Sequence, residues 1–405
     1  VGILDRVSGE VLAFPQAPDG VEVRHLRAFV AVAEELNFNR AAARLYVSQP
    51  ALSRQIRALE RLLGCELLRR STHRVELTVA GSALLDRARK LLADLDEAIA
   101  TTQSVGGELA NRMAMMWAPV MELVSADRDI LETRIAYETF LAQSSVPDQI
   151  RVWPVTAGGV SSLALGGAEQ QDTPILFLHG GGYTVGSAYG YRPLVGALVS
   201  AAGVGALVPD YRLAPEHPFP AAVEDALSAY RWLVEQQGNA RIVLAGDSAG
   251  AALACSLLMS LRARDLPMPA AALFLCPGVD PTGRSILSSV SPQEATKVKR
   301  MTDAYLAGHP VDDPVVNPLV ADLTGLPPLL IQTATGDMVL AESRLLAERA
   351  IAHGVDAQLE IYAADTHVFH VFWSFLPEAA NALQQAGTFI RAHLGSAPAA
   401  DVFAG

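Results

Sequence analysis

The chain has 405 residues, of which 51% are hydrophobic, and a formal net charge of −12. That is material for two or three domains with a large core, and no apolar run reaches the roughly 18 residues a membrane span requires. The charge is uneven: residues 21–90 carry a net +6 and the remainder −18, which admits a polyanionic partner for the N-terminal part only, since the acidic body repels one.

Residues 1–20 read as a flexible lead. Asp5, Arg6, Glu10 and Asp19 interrupt its small apolar clusters, so it lacks the basic start and continuous apolar stretch of a signal peptide. Three scattered cysteines, Cys65, Cys255 and Cys276, make no disulfide framework, and a reducing cytoplasm fits best. No Cys/His cluster has zinc spacing and there is no H-E-x-x-H. Neither a metal nor a cofactor is expected.

Residues 21–80 read as a small helical module. Leu26, Phe29, Val30, Ala33 and Leu36 recur at helical spacing, which predicts a first helix over His25–Glu35. Arg40–Leu45 predicts a second. After a tight turn at Tyr46-Val47, Ser48 as N-cap and Pro50 in the first turn start a third helix, Gln49–Leu63. It turns Leu52, Ile56, Leu59 and Leu63 inward and leaves Gln49, Ser53, Arg54, Gln55 and Arg57 outside, which is what a reader of the DNA major groove requires. A helical bundle with an ordinary solvated basic face is the alternative. Arg69–Thr78 predicts a hairpin wing with basic residues at Arg69, Arg70, His73 and Arg74.

Residues 24–81 closely resemble the winged helix-turn-helix of LysR-type transcription regulators. The matching residues include Leu26, Phe29, Val32-Ala-Glu34, Phe38, Ala41-Ala42, Ser48-Gln-Pro-Ala-Leu-Ser53, Ile56, Leu59-Glu60, Leu63-Gly64, Leu77-Thr78 and Gly81. Leu68 departs from the Phe usual there. The resemblance implies base contacts from Gln49, Ser53 and Arg54, and backbone contacts from Ser48, Arg57 and Arg74, on double-stranded DNA.

Residues 81–107 read as a linker helix. Leu84, Ala88, Leu91, Leu95 and Ala98, with Leu85, Leu92 and Ile99 alongside, form a heptad seam two repeats long, too short for a stable coiled coil alone. The resemblance implies a dimerisation helix, hence a homodimer or higher homo-oligomer; packing on its own body is the alternative. Thr101–Gly107 reads as a hinge.

From Asp172 onward the chain departs from a LysR-type regulator, which would continue into a periplasmic-binding-protein-like effector domain. Thr173–Leu178 predicts a buried strand, then comes His179-Gly-Gly-Gly-Tyr183. Arg241–Ala245 predicts a second strand, running into Gly246-x-Ser248-x-Gly250 and a helix from Ala251. Strand, sharp turn and helix is the context in which G-x-S-x-G presents a serine nucleophile. Further strands over Ala270–Cys276, Leu329–Thr333 and Ala357–Tyr362 alternate with helices over Ala221–Gln237, Ala341–His353 and Pro377–His393, which argues for a doubly wound, mostly parallel sheet.

Residues from about 147 to 394 closely resemble the hormone-sensitive-lipase family of α/β-hydrolase esterases. The resemblance rests on His179-Gly-Gly-Gly182, Asp210-Tyr-Arg-Leu-Ala-Pro-Glu-His217, Gly246-Asp-Ser-Ala-Gly250, Asp313-Pro314 with Asn317-Pro318, Leu326-Pro-Pro-Leu329 and His367-Val-Phe-His370. Ala251-Ala252 stands where the family usually has Gly-Asn, and Gly336-Asp337-Met338 carries one acid where two or three are usual. The expected fold is α/β: an α/β-hydrolase sheet with a helical cap, preceded by an all-α winged helix-turn-helix domain and linker helix. The parts expected are 108–150 as a first cap segment, 151–395 as the hydrolase domain with 281–310 as a second cap segment, and 396–405 as a tail. Met113, Met115, Met116, Trp117, Met121 and Tyr137 suit an apolar cap wall and equally an ordinary helical core.

Acyl transfer needs a nucleophile, a base, a group orienting the base and donors for the oxyanion. Ser248 is the expected nucleophile. His367 is the expected base, by its late position and the family motif, with His370 the competitor and expected to pack beside Phe369 and Phe372. Asp337, after the strand at 329–333, is the expected acid. Gly181, Gly182 and Ala249 are the expected N–H donors. His179, Asp210, Arg212, Glu216 and Asp247 are expected to be structural, the last four as buried polar pairs. The expected activity is a serine carboxylesterase acting on small acyl esters. Two other readings stand: a transcription regulator whose hydrolase-fold effector domain senses an ester, and an artefactual fusion in which Met115 or Met116 begins a free-standing esterase.

Overall fold

The computed structural model describes residues 20–70, 75–125, 129–167, 172–236, 241–286, 290 and 292–395. His73 and Arg74 lie outside the described residues, as do the lead, the tail and the side chains of Arg70, Ala98, Ile99 and Met121. The chain forms two compact units, divided between Glu108 and Leu109.

In the first unit, α1 (Val23–Glu35), α2 (Phe38–Arg44) and α3 (Gln49–Leu63) pack Phe29, Val32, Ala41, Leu52, Ile56 and Leu59 into one apolar cluster. Asn37 caps α2, its Oδ1 accepting from the Asn39 and Arg40 N–H groups, and Ser48 caps α3 through the Ala51 N–H. Gly64 closes α3 in the left-handed conformation. The wing is the antiparallel pair β1 (Leu68–Arg70) and β2 (Val75–Leu77). Its base is held by the Glu60 carboxylate, which accepts from the Leu67 and Leu68 N–H groups.

α4 runs from Val79 to Ser125 without a break, so the hinge expected over Thr101–Gly107 is helix instead. A glycine costs a helix about 1 kcal/mol against alanine, and Gly106 and Gly107 are both exposed within it. Leu85 is buried in the first unit's core, and Met113 and Leu109 pack in the second unit's core.

The second unit adds α5 (Ile130–Leu141), then an eight-stranded sheet. Its strands are β3 (Arg151–Ala157), β4 (Val160–Gly166), β5 (Ile175–Leu178), β6 (Ala206–Pro209), β7 (Val243–Asp247), β8 (Ala271–Leu275), β9 (Leu329–Ala334) and β10 (Ala357–Tyr362). Their order is β10-β9-β8-β7-β5-β6-β4-β3. From β10 to β6 all pairs are parallel, and β4 and β3 complete the sheet antiparallel. The pleat explains the fully apolar strands: Ile175 and Phe177 face one core, Leu176 and Leu178 the other. α6 (Arg192–Ala202) and α11 (Pro377–Leu394) cover the first face; α7 (Ala221–Gln236), α8 (Ala249–Ala263) and α10 (Leu340–Ala352) cover the second. α9 (Pro292–Leu306) lies between β8 and β9 in the chain. No helix among the described residues is long and apolar enough to cross a membrane.

Candidate active site

In an open parallel sheet, ligands bind beyond the carboxyl ends of the strands. Three of the expected residues follow such ends: Ser248 directly after β7, Asp337 three residues after β9, and His367 five residues after β10. Ser248 has φ +50° and ψ −122°, a region that a residue with a Cβ occupies only under constraint from its surroundings. The tight turn demands a bare Cα at Gly250, where a Cβ would collide with the Leu178 and His179 carbonyls.

The three side chains form one hydrogen-bonded line. The Ser248 hydroxyl donates to His367 Nε2 at 2.8 Å, and His367 Nδ1–H donates to Asp337 Oδ1 at 2.8 Å. Asp337 Oδ1 also accepts from the Val339 N–H at 3.0 Å. Burial opposes a charge on His367, but the Asp337 carboxylate beside it, with Asp247 and Glu342 farther off, outweighs burial and holds the imidazole above its ordinary value. Burial likewise opposes ionisation of Asp337, and the His367 charge and hydrogen bond overcome it, keeping the carboxyl below its ordinary value.

The loop after β5 carries Gly181 and Gly182, with φ of +112° and +58°. Among the described residues no protein acceptor takes the N–H of Gly181, Gly182 or Ala249. The loop is braced from below. Asp247 is fully buried and accepts from the Gly180 N–H at 2.7 Å and the Tyr191 hydroxyl at 2.9 Å. Burial pushes its carboxyl up to about 7 against those two hydrogen bonds. His179 stacks on Tyr211 at 4.2 Å, its Nδ1–H donates to the Gly180 carbonyl, and burial takes its pKa down to about 4. Of the other residues expected in buried pairs, Arg212 grips Asp225 in a forked pair at 2.8–3.1 Å but its side chain is 43% exposed, and Asp210, which accepts from the Ala188 N–H at 2.6 Å, is exposed as well. Glu216 corrects the expectation. It is paired with Arg134 at 2.7 Å but 46% exposed, because it sits in the loop before α7 rather than under the sheet.

Ser248, His367, Gly181, Gly182 and Ala249 line one cavity of about 510 Å³, within the usual range for small-molecule sites. Its walls are largely apolar: Trp117 from α4, Tyr137 from α5, and Ile286, Val298 and Met301 from the 281–310 region. Trp117 stacks on Phe140 at 4.1 Å, and its indole N–H donates to Thr366 Oγ1, next to His367, at 3.1 Å. Of the methionines that suit either this wall or a helical core, Met113 is buried in the core and Met115 is 70% exposed. Met301, which no motif in the sequence singles out, lies over Gly182.

His370 is three residues beyond His367 and takes no part in the line. It is fully buried, 4.0 Å from the Phe369 ring, with Nε2 3.2 Å from Gln332 Oε1. Cys276, Asp337 and His367 each bring one potential metal-ligand atom within 4.8 Å of the others. Both ring nitrogens of His367 are already engaged, and burial holds the Cys276 thiol well above its ordinary value and so protonated, which suits hydrogen bonding rather than metal ligation.

In the first unit, Ser48, Gln49, Arg54 and Arg57 are exposed on α3 or its cap. Ser53 is not: it is 8% exposed, with its hydroxyl 3.4 Å from Arg57 Nη2. Its neighbour Leu52 is wholly buried, and the apolar face is wide enough to take the small side chain in.

Residues 175–371 match the α/β hydrolase fold family, and residues 23–82 match the bacterial regulatory helix-turn-helix proteins of the LysR family. An acetyl-hydrolase of Streptomyces hygroscopicus is 40% identical over 249 residues, 60% of this chain and 83% of that protein. An esterase of the bacterial hormone-sensitive lipase family is 36% identical, with a TM-score of 0.63 over 69% of this chain and 98% of that one. The esterase EstE5, in a crystal soaked with p-nitrophenyl butyrate, is 37% identical, with a TM-score of 0.62 over 67% and 93%. The chain belongs to the hormone-sensitive-lipase family of α/β-hydrolase esterases, is a carboxylic ester hydrolase, and carries ahead of that body a helix-turn-helix of the LysR family.

Proposed function

We propose that the second unit is a serine carboxylesterase for small acyl esters, with Ser248 as nucleophile, His367 as general base and Asp337 as the acid that orients it. The observation that carries this reading is the pair of 2.8 Å hydrogen bonds through one imidazole, opening onto the cavity. Ser248 Oγ attacks the ester carbonyl as His367 Nε2 takes its proton. Asp337 stabilises the imidazolium. The N–H groups of Gly181, Gly182 and Ala249 receive the oxyanion. The imidazolium then protonates the leaving alcohol, and water, deprotonated by the same nitrogen, releases the acid. Residues 108–150 and 281–310 act as the cap that walls the cavity. Hydrolysis of p-nitrophenyl acetate and butyrate, without added metal or cofactor, tests the reading; no turnover of either by the folded protein counts against it.

The base must be neutral to act, and its folded pKa lies above the ordinary value of about 6.5. Activity is therefore full above that raised pKa and falls as pH drops through it. A plot of kcat/KM against pH should show an acid limb above 6.5. A limb in the carboxylate range, near about 4, would contradict the assignment of His367 as base.

The first unit, in this reading, binds duplex DNA as a dimer. The exposed Gln49 and Arg54 face the bases, while Ser48 and Arg57 face the phosphates. Leu91, on the heptad seam of α4, is 58% exposed, which supports self-association. Binding to DNA upstream of the gene should weaken steeply with salt, and Arg54→Ala should cost about 1–3 kcal/mol of discrimination between sites. A mobility-shift titration checks both, and no binding to any upstream fragment at low salt would refute DNA binding.

A further inference from the structure

Behind the Ser248–His367–Asp337 line lies a second polar cluster, wholly buried. Cys276 follows β8 directly with φ +48°, a left-handed conformation that residues other than glycine adopt only where the fold holds them. Its own N–H donates to the Gln332 carbonyl at 2.7 Å. This seat places Sγ within 4.8 Å of an Asp337 carboxylate oxygen and a His367 ring nitrogen. On Asp337, Oδ1 serves His367 and Val339, while Oδ2 is buried with no hydrogen bond of its own among the described residues. A buried carboxylate oxygen without a donor is costly, and native structures rarely leave one so.

The thiol has one proton to give, and residues farther back decide where it goes. Gln332 Nε2 donates to Glu360 Oε2 at 2.9 Å and to the Ala382 carbonyl at 2.8 Å. Its Oε1 therefore faces His370, whose Nε2 lies 3.2 Å away and must carry the hydrogen. Burial lowers the His370 pKa to about 3, so its Nδ1, 4.0 Å from the sulfur, is bare. The thiol can receive no proton from that side. Of its two acceptors, the charged carboxylate oxygen is the stronger.

We propose that the Cys276 thiol donates to Asp337 Oδ2 and is a positioning residue for the acid of the site. It acts through Asp337: it fixes the carboxylate's plane and takes up part of the negative charge that the carboxylate presents to His367. The proposal rests on the esterase reading above.

Cys276→Ala removes the donor. The charge on Asp337 then falls more fully on His367, and the acid limb of kcat/KM should move up by about 0.5–1 pH unit, with the downfield Nδ1–H proton resonance of His367 displaced. Cys276→Gly does the same while suiting the positive φ, so the test survives if the alanine variant folds poorly. Cys276→Ser restores a donor and should return the limb to within about 0.2 unit of the parent. A merely structural role would lower thermal stability and leave the limb in place. An unmoved or lowered limb in the folded alanine or glycine variant overturns the proposal. Ser248→Ala separates the two claims: if it retains parental activity the esterase reading fails, and if it is inactive while Cys276→Gly keeps the parental limb, only this proposal fails.

Discussion

Ser248→Ala is expected to lower kcat on p-nitrophenyl butyrate by about 10⁴ or more, with the circular dichroism spectrum unchanged. The hydroxyl is the only part removed, and it caps no helix, since it makes no hydrogen bond to the N-terminus of α8. His367→Ala should match that loss, because nucleophile and base act as one unit and their losses do not add. His370→Ala should not: its Nε2 is spent on Gln332 rather than on Ser248. Parental turnover in folded Ser248→Ala, or equal losses from the two histidine variants, would remove the assignment.

Gly182→Val is expected to lower kcat by about 10² or more. At φ +58° a β-branched side chain is strained, and a Cβ at this position would also run into Met301. Both effects push the Gly181–Gly182 N–H groups away from where the oxyanion forms. Adding Met301→Ala relieves the collision and leaves the backbone strain, so the double variant should remain slow. A folded Gly182→Val protein with parental kcat would show that this loop does not hold the oxyanion.

The candidate site is legible in the sequence because its parts are local. An elbow, a glycine loop and a late histidine are each written in a few consecutive residues, and chain order supplies the rest. Boundaries are less legible. Apolar pattern puts the strand before Ser248 at Arg241–Ala245, but it is Val243–Asp247, since Gly246 and Asp247 look like turn residues until their partners Gly180 and Tyr191 are known. β3 escapes notice because Pro154 argues against a strand, yet as the terminal strand of the sheet it has no second neighbour to serve. α6 escapes it because Pro193 to Ala202 are all buried, which erases the amphipathic period.

Contacts made across the fold leave no local pattern. Met301 over Gly182, Trp117 on Thr366, and Cys276 beneath Asp337 join residues far apart in sequence. Ser53 faces outward on a helical wheel but is only 8% exposed. The division of α4 is of the same kind. Leu109 and Met113 pack in the hydrolase core, so a chain beginning at Met115 or Met116 would lack side chains that this core uses.

The central claim is that the ester's acyl group passes through Ser248. A serine-directed organophosphate should inactivate the enzyme in proportion to a single adduct, located by peptide mass spectrometry on the segment holding Gly246-Asp-Ser-Ala-Gly250, with none formed in Ser248→Ala. Inactivation without an adduct on Ser248, or an adduct there that leaves hydrolysis intact, would contradict it.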